Sequence, residues 1–96
     1  MALQRKWTQE AKDNIISILD YLLEHWTERD AKNFLIKLER IIALIEKGPL
    51  LYPRSRKNIH RAVVTKQITL YYSIKGQHLY LLQLFSNKQN PRKRKG

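Results

Sequence analysis

The periodicity of the apolar residues changes once along this chain, and the change falls at Gly48-Pro49. A segment that repeats about every 3.6 residues buries one stripe of a helix, whereas strict alternation buries one face of a strand. In "TQEAKDNIISILDYLLEHW", Ala11, Ile15, Ile18, Leu19, Leu22 and Trp26 recur at helical spacing, with Asp13, Asp20 and Glu24 between them. Thr8 is placed to cap this helix and Glu10 to complement its positive end. A second start follows in "WTERDA", where Thr27 can cap and Asp30, at the third helical position, can return the bond as in a capping box. Ala31, Phe34, Leu35, Leu38, Ile41, Ile42 and Ile45 then form a wide apolar stripe that stops at Gly48-Pro49. The near absence of a loop between the two helices predicts an antiparallel α-hairpin.

Beyond "GPLLYPRSRKNIH", which reads as a loop with two prolines, "RAVVT" and "ITLYYSI" read as strands. In the second, Ile68, Leu70, Tyr72 and Ile74 share one face while Thr69, Tyr71 and Ser73 share the other. Gly76 supplies a tight turn into "LYLLQLF", whereas the turn at "TKQI" lacks the usual Gly or Asn. The opening "ALQRKW" is a candidate short edge strand. The expected architecture is α+β: an N-terminal antiparallel α-hairpin on one face of a small antiparallel β-sheet, in the order β-α-α-β-β-β. We expect a single domain over residues 1–90, with a basic flexible tail over 91–96.

Charge divides at the same point as periodicity. Residues 1–47 hold eight bases and all eight acids, whereas the rest of the chain holds eleven bases and no carboxylate side chain, giving the net charge of +11. Solubility and a cationic tail would account for part of this. Arg54, Arg56, Lys57, Arg61, Lys66 and Lys75 nevertheless precede the tail, and so complete an asymmetry points to a polyanionic or acidic partner.

The composition also excludes chemistry. Without cysteine there are no disulfides, thiolate metal sites or cysteine nucleophiles. His25, His60 and His78 have no ligand-spaced partners, so neither a metal nor a cofactor is expected. Three glycines cannot build a phosphate-cradling loop. No apolar run is long enough to span a bilayer and no secretory h-region opens the chain, so we expect a cytoplasmic protein without a membrane partner. What remains is basic and aromatic. Phosphodiester chemistry can run without carboxylates or metal when cations stabilise the charged transition state and a neighbour-depressed base takes the proton. The loop "YPRSRKNIHRAVV" gathers Arg54, Arg56, Lys57, His60 and Arg61 for this, and aromatics such as Tyr71 can stack on bases. The same residues would serve any nucleic-acid or acidic-peptide binder.

The order of landmarks resembles the RelE/ParE superfamily of bacterial toxins over roughly Trp7 to Lys93. It is carried by "WTQEAKDNIISILDYL", "AKNFLIKLERIIALIEKGPLLYP", "HRAVVTKQITLYYSI" and "LYLLQLFSNKQNP". The resemblance implies the α-hairpin-on-sheet fold and a toxin of a type II toxin–antitoxin module with an acidic antitoxin as partner. In the ribonuclease branch, which cleaves mRNA on the ribosome, it implies a phosphate contact at Arg61 and a catalytic lysine at Lys57. Lys88 stands where many relatives have arginine. The candidates for base and phosphate stabiliser are then Lys57, His60, Arg61 and Lys88, with Arg54, Arg56, Arg92 and Tyr71 as nucleic-acid contacts. That branch often has a tyrosine beyond the last strand, and here nothing after Phe85 is aromatic. The gyrase-poisoning branch acts as a binding module without those catalytic groups, which keeps DNA gyrase as the alternative target.

One strand stands apart. With strict alternation, "LYLLQLF" is apolar on both faces, Leu79, Leu81 and Phe85 on one and Leu82 and Leu84 on the other. Two helices cover only one face, so the other is expected to meet an antitoxin segment or to be covered by Leu50, Leu51 and Tyr52.

Overall fold

Thr8 both ends the first strand and begins the first helix. Its side chain accepts a hydrogen bond from the Ala11 amide, satisfying one of the donors a helix start leaves open. The computed structural model describes residues 3–48, 54–56 and 58–86. In chain order the elements are β1 (Gln4–Trp7), α1 (Gln9–His25), α2 (Glu28–Lys47), β2 (Arg54–Arg56), β3 (Ile59–Thr65), β4 (Ile68–Lys75) and β5 (His78–Ser86).

Both expected caps form. At α2 the Thr27 hydroxyl accepts from the Asp30 amide while the Asp30 carboxylate accepts from the Thr27 amide, a complete capping box. The helix ends at Gly48, whose amide closes the last turn on the Leu44 carbonyl. The α2 stripe buries Ala31, Phe34, Leu38, Ile42 and Ile45, and each large side chain contributes about 1.5–3 kcal/mol over its exposed state. Trp26 departs from the sequence reading. It is the C-cap of α1 rather than part of its buried stripe, and it stays 53% exposed.

The α+β class and the helical hairpin on one sheet face are as expected, but the sheet is mixed. Among the described residues its five strands run in the order β1-β5-β4-β3-β2, and β1 pairs with β5 in parallel, Gln4 opposite His78 through Trp7 opposite Leu81. A strand joined by a long connection can enter a sheet in either sense, whereas hairpin neighbours must be antiparallel. The second difference is β2, a short strand inside the segment read as loop. It pairs with β3 through a turn in which Asn58 takes a left-handed φ of 56°. Asparagine tolerates that region better than most side chains.

The β3–β4 turn forms without glycine because Thr65 closes it. Its hydroxyl oxygen accepts from the amides of Gln67 and Ile68, both at 3.2 Å. At the next hairpin Gly76 holds a φ of 61°, where a side chain would be strained although space is open around it.

Strict alternation fails in β5. Tyr72 pairs with Leu81 and Tyr71 with Gln83, so Leu82 is an extra residue, a β-bulge. The parity of the strand therefore reverses: Leu79, Leu81 and Leu84 enter the core, while Gln83 and Phe85 face away. The grouping of Phe85 with Leu79 and Leu81 is corrected accordingly. The core joins these leucines to Ala11, Ile18, Phe34, Leu38, Ile42, Ile45, Ala62, Leu70 and Tyr72.

Candidate functional site

All eight carboxylates of the chain lie on α1 and α2. The charge step in the sequence is thereby a step between layers, with every acid in the helical layer and none on the sheet. One strand base reaches across. Arg5 of β1 donates to both oxygens of Glu39 at 2.9 Å and to both of Glu46 at 2.7 and 3.1 Å. Glu39 and Glu46 are seven residues apart, two turns on one face of α2. Hydrogen bonding by Arg5 lowers the Glu39 pKa below its ordinary value, while the same bonds, Glu39's first, raise that of Arg5. Two acids of α2 are thus tied to the sheet.

The sheet face turned away from the helices carries the candidate site. In β3, burial alternates residue by residue: His60, Ala62 and Val64 are buried, Arg61 and Val63 exposed. Cross-strand register then sets Arg61 opposite Tyr71 and Tyr71 opposite Gln83. A parallel row runs Val63, Thr69, Phe85, in which Val63 is 62% and Phe85 37% exposed. Arg61 makes no ion pair among the described residues, since the acids occupy the other layer. The arrangement offers a guanidinium, a phenol and an amide side by side, bordered by apolar groups.

His60 is not part of this row. Successive strand residues point to opposite faces, so neighbours in sequence cannot both serve one surface. His60 faces the helices at 9% exposure and stacks on Tyr72 with ring centroids 5.2 Å apart. Arg54 and Arg56 lie on β2, where Arg54 pairs with His60 in backbone register. Lys57, Lys88 and Arg92, like Leu50, Leu51, Tyr52 and the tail, lie outside the described residues. Sequence reasoning missed Gln83, because an unbulged strand would send it inward. It also missed β2, for which Asn58 after a basic run was the available turn signal.

A groove of about 270 Å³ opens on another side, at the end of the helical hairpin, between Trp26, Leu22, Tyr21, Phe34 and Ile68. No group of three or more His, Asp or Glu among the described residues could hold a metal. Among the described residues no helix is long and apolar enough to cross a membrane.

The sequence matches the family model for the ParE toxin of the type II toxin–antitoxin system parDE over residues 5–91. The chain belongs to the ParE toxin family. It is a type II toxin, and solved structures agree on the ParE/RelE fold. A chain of the chromosomal ParDE system of P. aeruginosa superposes with a TM-score of 0.74 at 12% identity, covering 88% of this chain and 96% of that one. The YoeB/ParE toxin of Agrobacterium tumefaciens gives 0.68 at 13%, covering 88% and 99%. The toxin–antitoxin complex RelBE2 of Mycobacterium tuberculosis gives 0.63 at 13%, covering 91% and 100%. At these identities the superpositions speak to the fold. No curated protein sequence matches the chain significantly.

Proposed function

We propose that this ParE-family toxin inhibits growth through the open sheet face around Arg61, by binding and cleaving mRNA on the ribosome. The observation that carries the reading is the row Arg61–Tyr71–Gln83 on a face without carboxylates, in a protein of net charge +11. Arg61 would hold the scissile phosphate and Tyr71 would stack on a base. The 2′-hydroxyl is the nucleophile that RNA brings. Lys57 and Lys88 are the candidates for proton transfer. His60 drops behind them, because it lies against Tyr72 on the helix side.

That same placement of His60 favours a second reading, a binding toxin that stalls DNA gyrase without cleaving anything. Incorporation of labelled precursors after induction separates the two. Arrest of protein synthesis before DNA synthesis supports the endonuclease; the reverse order supports gyrase and removes the first reading.

An acidic antitoxin is the partner on either reading. Val63 and Phe85 beside Arg61 give it an apolar strip with a basic rim. Phe85→Asp is expected to weaken the toxin–antitoxin complex by at least tenfold in a pull-down titration, and an unchanged affinity would place the antitoxin elsewhere.

A further inference from the structure

Gln83 reaches the open face only because of the bulge at Leu82. In an unbulged β5 it would point into the helices and Leu84 would face out, since a shift of one residue exchanges the faces. Two groups from the start of α1 hold the bulged segment. The Thr8 hydroxyl donates to the Leu82 carbonyl at 2.8 Å, and Asn14 Oδ1 accepts from the Leu84 amide at 2.9 Å. Asn14 thereby satisfies an amide just beyond Leu81, where the pairing of β5 with β1 ends. Bulges of this kind often re-aim a side chain beside a site.

We propose that Gln83 reads the base of a single-stranded nucleic acid bound across this face, with adenine as the preferred base. This rests on the nucleic-acid reading of Arg61 and Tyr71. Strands lie about 4.8 Å apart, so the row from Arg61 across Tyr71 to Gln83 spans roughly 10 Å. A phosphate at the guanidinium and a base on the phenol ring bring the base edge to the Gln83 amide. That amide presents one donor and one acceptor in a plane, the pattern that pairs with adenine N7 and N6. An unstacked base exposes the same edge. The row's other two members cannot discriminate in this way, because a phosphate contact and a stacking ring accept every base. Thr8 and Asn14 are positioning residues, acting through the bulge.

The experiment measures binding of the full-length toxin to labelled short oligoribonucleotides of A, of C and of U at one fixed salt concentration. Oligo-A should bind about five- to 150-fold more tightly than the others, the range of one bidentate pair. Gln83→Leu should bring the three within about twofold of one another with unchanged thermal unfolding. Gln83→Glu keeps the shape but only accepts hydrogen bonds, so it loses the bond to adenine N7 and should move preference from A toward C, whose amino group has no acceptor beside it on that edge. Asn14→Leu should flatten the preference, and Asn14→Asp, which keeps the acceptor oxygen, should retain it. If Arg61→Ala weakens all three oligomers while both Gln83 variants leave their ratios unchanged, the assignment of Gln83 fails and the nucleic-acid face stands. If the unaltered protein binds none of them at low salt, both fall.

Discussion

Arg5 and Arg61 are both arginines on strands of one sheet, and the fold uses them in opposite ways. Arg5 sits on the side of the helices and spends its donors on two carboxylates of α2. Arg61 sits on the other side, exposed, with no carboxylate on its face. The residue type is the same, so the difference comes from the layer each faces. Confining the acids to the helices lets a strand arginine on the near side become a clamp and leaves one on the far side available for an anion brought from outside.

The comparison can be broken first at the level of the faces themselves. Leu81, fully buried under α1, should cost about 2–5 kcal/mol as Leu81→Ala, measured by chemical denaturation. Phe85→Ala on the open face should cost clearly less, since Phe85 retains 37% of its exposure. Equal losses would mean that the open face is covered after all.

The clamp comes next. Arg5→Ala should destabilise by about 1.5–3 kcal/mol, the range for hydrogen bonds to charged groups, with Glu46 supplying more of it than the exposed Glu39. Acid should remove the part of this contribution that Glu39 supplies. The folded Glu39 pKa is lowered, so its stabilisation is present above the unfolded value and is lost as pH falls through the folded one. The stability gap between the parent protein and Arg5→Ala should therefore narrow as pH falls below the ordinary glutamate value and through the lowered Glu39 one. A gap undiminished in acid would assign the loss to packing of the arginine stem.

The smallest change in stability belongs to the residue with the largest proposed role. Arg61→Ala should alter stability by less than about 1 kcal/mol, as for other surface substitutions, yet abolish growth inhibition. Loss of toxicity accompanied by a large loss of stability would make Arg61 a second clamp and erase the contrast.

Much of the fold could be read locally. Both helices, the Thr8 and Thr27 caps, the stop at Gly48, the Gly76 turn and the alternation of β4 from Ile68 to Tyr72 each follow from residues within a few positions of one another. Helical and extended periods, capping and turn chemistry all act at that range. The division of charge along the chain was equally plain in the sequence. Of the candidate site, Arg61 and Tyr71 were legible because each belongs to a regular alternating run. His60 lies on the other face from Arg61, because closeness in sequence places strand residues on opposite faces.

The tertiary structure alone decided the rest. The bulge in β5 is held by Thr8 and Asn14, about seventy residues away in the chain, and nothing in "LYLLQLF" announces it. The parallel sense of β1 and the four hydrogen bonds of Arg5 likewise join groups distant in sequence. Periodicity states which residues prefer burial. Which side of a sheet each one occupies depends on register, and register is set by hydrogen bonds between segments that meet only after the chain has folded.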